Sequence, residues 1–171
     1  MTGNRRVMTD FTPSPDHAGA FRAALGLFTT GVTLVTTKTP RGPLAMTVNS
    51  FTSVSLDPPL ILWCPAKVSA RHDAFVEAEH FAVHLLCDDQ VEVARNFARQ
   101  GEDFSELSCR EDFHGVPVID PCLARFDCTT EKVVDGGDHS IVIGRVQRVA
   151  ANDGKPLTFH AGQFGGFDGS N

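Results

Sequence analysis

Two extended stretches, Cys122 to Val134 and His139 to Ala150, flank the turn-forming cluster Asp135-Gly136-Gly137-Asp138, and no other feature limits the fold of this chain so tightly. Long stretches joined by so short a connection pair as an antiparallel hairpin. The rest of the chain follows suit. Gly31 to Thr37 is rich in β-branched residues and reads as a strand, and Pro40-Arg41-Gly42-Pro43 turns it back into a second strand from Leu44 to about Ser50. Phe51 to Ser55 continues the sheet as far as Asp57-Pro58-Pro59, where two prolines remove ladder donors. Leu60 to Cys64 reads as a buried strand, and His80 to Leu86 as a half-buried one through Phe81, Val83 and Leu85. Pro156 to His160 is a last short strand before a glycine-rich tail.

Helices are expected between these strands. Ala18, Phe21, Leu25 and Phe28 recur at steps of three and four after a capping Asp16, with Gly31 as the stop. Ser69 is expected to cap a short helix reaching about Glu79. Asp89 and Glu92 have capping-box spacing ahead of Val91, Ala94, Phe97 and Ala98, with an end near Gly101. From Glu102 to Pro121 the polar, punctuated chain reads as a loop with a helical turn near Glu102 to Leu107. About seven strands with inserted helices, and no strict strand–helix alternation, predict a mainly β fold: a closed or nearly closed antiparallel barrel with flanking helices. One domain is expected over residues 18–164, with a flexible N-terminal segment 1–17 and a tail 165–171.

Composition removes several function classes. At 42% hydrophobic and 21% charged residues the chain is neither disordered nor a coiled coil. Its longest apolar run, Leu60 to Cys64, is five residues, against the ~20 of a membrane-spanning helix. A net charge of −6 opposes nucleic acid and anionic lipid as partners. The N-terminus lacks an apolar core of signal-peptide length, so a cytoplasmic protein is expected. Five cysteines, the nearest pair six positions apart, indicate free buried thiols rather than disulfides or a zinc knuckle.

Familiar catalytic patterns are missing. Gly162, Gly165, Gly166 and Gly169 precede no helix, which excludes a dinucleotide-binding fingerprint, and there is no P-loop or nucleophile elbow. His72, His80 and His84 form the one histidine cluster, spaced too widely for easy chelation, and no metal is expected. The informative segment is Thr47 to Ser55, which places five hydroxyls and one amide within nine residues, beside a proline break that leaves backbone groups unpaired. Such a strip matches the donor-rich edge of a flat heteroaromatic ligand.

Three pieces of the chain, in this order and spacing, resemble the short-chain flavin reductases: Thr30-Gly31-Val32; Met46-Thr47-Val48-Asn49-Ser50-Phe51 with Ser53-Val54-Ser55 and Pro58-Pro59; and Gly137-Asp138-His139 before Ile141. The resemblance runs from about Phe21 to Phe164. It implies an antiparallel split β-barrel with a flavin-binding fold, and NAD(P)H-dependent reduction of FMN or FAD. It also implies delivery of reduced flavin to a separate flavin-dependent monooxygenase. On this resemblance Met46, Thr47, Val48, Asn49, Ser50 and Thr52 contact the flavin ring and ribityl chain. Lys67 and Ser69 match the family's flavin-phosphate loop, with Arg71 where the family often has threonine. His139 orients the nicotinamide of NADH or NADPH rather than transferring a proton. Phe159, Gly162 and Phe164 match a segment that often bears tyrosine, a residue this chain lacks. A homodimer is expected, the second subunit helping to close the site. The rival readings are a protein that keeps its flavin and reduces a corrinoid or quinone, and a flavin-binding barrel without turnover.

Overall fold

A computed structural model describes residues 8–169. After a 3-10 turn at Pro15–His17, its elements run α1 (Ala18–Gly26), β1 (Thr30–Gly31), β2 (Thr33–Thr39), β3 (Gly42–Val48), β4 (Thr52–Leu56), β5 (Pro59–Trp63), α2 (His72–Val76) and β6 (His80–Leu85). They continue with α3 (Val91–Arg99), β7 (Cys109–Glu111), β8 (Pro117–Ile119), β9 (Ala124–Gly136), β10 (His139–Ala151), β11 (Leu157–His160) and β12 (Gln163–Gly166). The expected hairpin is β9–β10. It turns on Gly137 at φ +82°, with Asp138 beside it, the arrangement in which glycine at the first turn position matches the twist of the strands.

Seven strands form one sheet in the order β3-β2-β6-β9-β10-β5-β4. The sheet is not closed by hydrogen bonds, contrary to the closed form of the expected barrel: β3 and β4 are its two edges. Yet only Asn49, Ser50 and Phe51 separate Val48 from Thr52. Four residue steps reach at most about 14 Å, so the sheet must curl until its edges nearly meet at that end. The result is a split barrel, with the hydroxyl-rich strip crossing the split.

Two cores hold the curl. Inside it, Val35, Met46, Phe81, Val83 and Val142 surround Trp63 and Phe75, whose rings meet edge to face at 5.3 Å. Gly144 is required there, because a Cβ at that position would lie 2.4 Å from Phe81 Cζ. On the opposite face, Leu34 and Ala45 pack against Ala94 and Phe97 of α3. Alternation along β2 and β3 therefore feeds both cores, which is why β2 reads as a continuous β-branched run.

Several local expectations are corrected. Asp16 lies inside the 3-10 turn and makes no cap bond, and α1 ends five residues before Gly31 because Thr30–Gly31 pairs with β11 as a strand. No residue of α1 is buried among the described residues, so its apolar face stays open to solvent there. Ser69 does not cap a helix: α2 starts at His72, and Ser69 instead forms the preceding turn through Arg71 N–H to its Oγ (3.3 Å) and His72 N–H to its carbonyl (3.0 Å). The Asp89/Glu92 capping box is absent, since Gln90 precedes α3 and its side chain accepts the Cys87 N–H at 2.8 Å. The expected loop from residue 102 to 121 contains the β7–β8 hairpin, and the tail expected from residue 165 begins only after β12. Of the expected N-terminal segment, residues 1–7 lie outside the described residues. All five cysteines are free, and burial pushes the Cys122 thiol up to about 11 and that of Cys128 to about 12. No helix among the described residues is long and apolar enough to cross a membrane, and no group of metal-ligating side chains occurs among them.

Candidate active site

The site is built around the strip at the split. Ala45 turns its backbone away from β2, its N–H donating to the Gly101 carbonyl (2.8 Å) and its carbonyl accepting from Arg71 (2.9 Å). By the period of two, Thr47 presents its N–H and carbonyl to the same open edge, while Met46 and Val48 face β2. Met46 does not reach that edge: its side chain is 6% exposed in the inner core, and its backbone belongs to the ladder. The Thr47 hydroxyl is also engaged, donating to the Ala94 carbonyl at 2.8 Å, so only the Thr47 backbone faces the edge. Asn49 is exposed. Thr52 is exposed on edge strand β4.

Ser50 ties the strip to the next loop. Its Oγ accepts the Cys64 N–H at 2.9 Å and lies 3.4 Å from the Cys64 carbonyl. From Cys64 the chain runs alongside the β9–β10 turn: Ser140 N–H donates to Pro65 O (3.0 Å), Lys67 N–H donates to Asp138 O (2.9 Å), and Ala66 pairs with His139. Lys67 Nζ also reaches Asp135 Oδ2 at 2.5 Å, and that hydrogen bond holds the Asp135 carboxyl below its usual range. His139 is 44% exposed and bonds Asp138 through Nδ1 at 2.8 Å, which likewise lowers the Asp138 carboxyl. These links tie the strip, the loop bearing Lys67 and Ser69, and the turn before His139 to one another.

Arg71 does not join them. Its guanidinium donates to the carbonyls of Ala45, Phe97, Gln100 and Ala98 at 2.7–3.2 Å, bracing the end of α3 against β3. Burial lowers its pKa from the ordinary value. In this structure the guanidinium thus serves as a backbone brace.

On the other flank of Asn49 lies a slot of about 220 Å³, lined by Val32, Thr47, Val48, Ala98, Phe159 and Phe164 together with Asn49. Phe159 and Phe164 stand opposite each other on β11 and β12, their rings 5.2 Å apart. The slot is apolar and aromatic with one amide at its rim, which fits one end of a flat ring system; it is smaller than the roughly 300 Å³ at which sites for whole ligands begin. Gly162 is not part of it. With Ala161 at φ +47° and Gly162 at φ +83°, it completes the two-residue turn between β11 and β12, an ordinary use of glycine. A larger cleft, about 520 Å³ between the β2–β3 turn and α2, holds Arg71 alone of the expected residues. Its lining mixes Lys38 and Arg41 with Glu77 and Glu102, which matches no flat aromatic ligand.

Residues 25–168 match the family model described as the flavin reductase like domain. The chain belongs to this family. It is 54% identical over 157 residues to the FMN reductase (NADH) SmoA of Agrobacterium fabrum, covering 92% of this chain and 90% of that protein. It is 38% identical over 152 residues to HsaB, the reductase subunit of a flavin-dependent monooxygenase of Mycobacterium tuberculosis, covering 86% and 81%. The solved NADH:FAD oxidoreductase SgcE6 of Streptomyces globisporus superposes with a TM-score of 0.86 at 32% identity, over 97% of this chain and 96% of that one. The curled open sheet of this flavin reductase family member is therefore the split barrel of its relatives.

Sequence reasoning missed Asp135, which meets Lys67 from 68 positions away, and Val32 and Ala98 in the slot. It also missed Thr30, whose buried Oγ1 has no partner. Nothing in a single sequence marks pairings so distant. The turn cluster at 135–138 was the one signal that could have placed Asp135 beside His139.

Proposed function

We propose that this flavin reductase family member transfers a hydride from NADH to FMN and releases the reduced flavin to a separate flavin-dependent monooxygenase. One observation carries the reading: the Ser50–Cys64 and Ala66–His139 links join flavin-side donors and a histidine into a single surface beside an aromatic slot. The relative named an NADH-dependent FMN reductase, at 54% identity, supports the choice of nucleotide and flavin. FAD and NADPH are the alternatives that a substrate comparison would separate.

When bound, the flavin supplies the acceptor for a hydride and its electron pair, leaving the nicotinamide oxidised. The protein's part is positioning. The Thr47 backbone, Asn49, Ser50 and Thr52 would hold the flavin ring, with Val48, Phe159 and Phe164 beside them. Lys67 and Ser69 would hold its phosphate, Lys67 exchanging its Asp135 partner for that anion. His139 would orient the nicotinamide. No side chain needs to donate or accept a proton for the hydride to move.

The homodimer is supported by Phe21 and Leu25 of α1 and Leu27 and Phe28 just after it, all exposed, with no residue of the helix buried among the described residues. Five unpaired thiols support a reducing, cytoplasmic location. The test is NADH oxidation by the purified protein with and without added FMN. Consumption only in the presence of flavin is expected, and no consumption with FMN or FAD, using either nucleotide, refutes the reading.

A further inference from the structure

Behind His139 lies a polar contact that the proposed reaction does not itself use. His72 Nε2 is 2.9 Å from Ser140 Oγ, and His72 Nδ1 is 2.8 Å from Asp73 Oδ1. Ser140 is 6% exposed, and the His72 side chain is 13% exposed. The imidazole therefore bridges the Asp73 carboxyl and the Ser140 hydroxyl, with both of its ring nitrogens engaged. Each inward polar group thereby satisfies the other.

The contact closes a loop. Between Pro65 and Lys67 the chain is paired by its backbone to the start of β10, through Pro65 O with Ser140 N–H and Lys67 N–H with Asp138 O. Beyond Lys67 it leaves the hairpin, passes through the Ser69 turn, and returns at His72 to meet the side chain of Ser140. The segment bearing Lys67 and Ser69 is therefore held to β10 at both ends. Successive strand residues point to opposite faces, so fixing Ser140 inward presents its neighbour His139 outward.

We propose that His72, its ring held by Asp73, is a positioning residue that acts through Ser140 to fix His139 relative to the Lys67–Ser69 loop. It touches neither flavin nor nucleotide. This inference rests on the proposed hydride transfer from NADH, since it assigns the frame that holds the nicotinamide-orienting histidine.

Steady-state kinetics on His72→Ala, Ser140→Ala, the double variant, His72→Gln and His72→Asn test it. A glutamine carbonyl can reach the Ser140 hydroxyl, whereas asparagine reaches only toward Asp73. Loss of one hydrogen bond predicts a rise in the NADH KM of roughly two- to tenfold in either alanine variant, with kcat at saturating NADH held within about twofold. The double variant should be no worse than the single ones, and His72→Gln but not His72→Asn should restore the KM. A purely structural role would lower the active fraction, and so kcat, in place of this split. An unchanged KM in His72→Ala, additive losses in the double variant, or equal rescue by asparagine overturns the proposal while wild-type turnover stands. A wild-type protein without flavin-dependent NADH oxidation overturns the proposed function, and this inference with it.

Discussion

Replacing Ser50 with alanine separates the fold's use of that hydroxyl from the site's use of it. The Oγ accepts the Cys64 N–H at 2.9 Å, a full hydrogen bond, while the 3.4 Å contact to the Cys64 carbonyl adds little. Alanine leaves the Cys64 N–H without its partner in a half-buried position. Such an orphaned donor costs roughly 1–3 kcal/mol when buried, and partial access to water places this one at about 1–2 kcal/mol. The same bond holds the strip against the loop that carries Lys67, so flavin binding should weaken in parallel, by up to about tenfold per 1.4 kcal/mol. Urea unfolding measures the first quantity, and titration of FMN followed by flavin fluorescence measures the second. A loss of stability with unchanged FMN affinity would refute the placement of flavin on this strip. Unchanged stability would refute the stitch itself.

Other perturbations test neighbouring parts of the account. Gly144→Ala sets a Cβ against Phe81 Cζ at 2.4 Å in the inner core and should destabilise by about 1–3 kcal/mol in denaturant unfolding. Arg71→Met leaves four backbone carbonyls without their donor and should cost about 1–3 kcal/mol of stability, with Arg71→Lys a poor substitute for the planar fork. The FMN KM should hold in both variants; a higher KM at unchanged stability would return Arg71 to the phosphate. His84 is buried between the Leu34 carbonyl and the Ile119 N–H, and burial lowers its pKa from 6.5 to about 4. Between those two values the unfolded chain binds the extra proton and the folded one does not, so stability falls as pH drops through that window. The resulting loss of stability is about 3 kcal/mol, complete below the lower value and absent above the upper. Unfolding curves across that range should show the slope, and a flat profile would contradict it.

Local signals made much of the fold legible. The β9–β10 hairpin was readable because Gly137 meets a turn requirement within a short stretch of chain, and β2 because both of its faces are buried. What failed depended on distance. The cap at Ser69 and the box at Asp89 have the right letters, but Ser69 holds a turn and Gln90 reaches the Cys87 N–H first. Strand β12 was invisible because half of it is glycine, and its identity comes from pairing with β11. The helix α1 has its apolar stripe, yet none of it is buried among the described residues. At the site, the residue types along the strip were legible, but not which of them are free. The Thr47 hydroxyl is taken by Ala94 and the Arg71 guanidinium by the end of α3, contacts formed across 26 to 47 positions of sequence. Composition and spacing hold no record of such competition.

We propose that flavin binds along the strip and that His139 orients the nicotinamide beside it. The most direct test is His139→Ala, assayed by titrating NADH at saturating FMN and then FMN at saturating NADH, beside the wild type. The NADH KM should rise severalfold while the FMN KM stays within about twofold, as for loss of a single orienting contact. A rise confined to FMN, or two unchanged constants, would place the nicotinamide elsewhere and contradict the account.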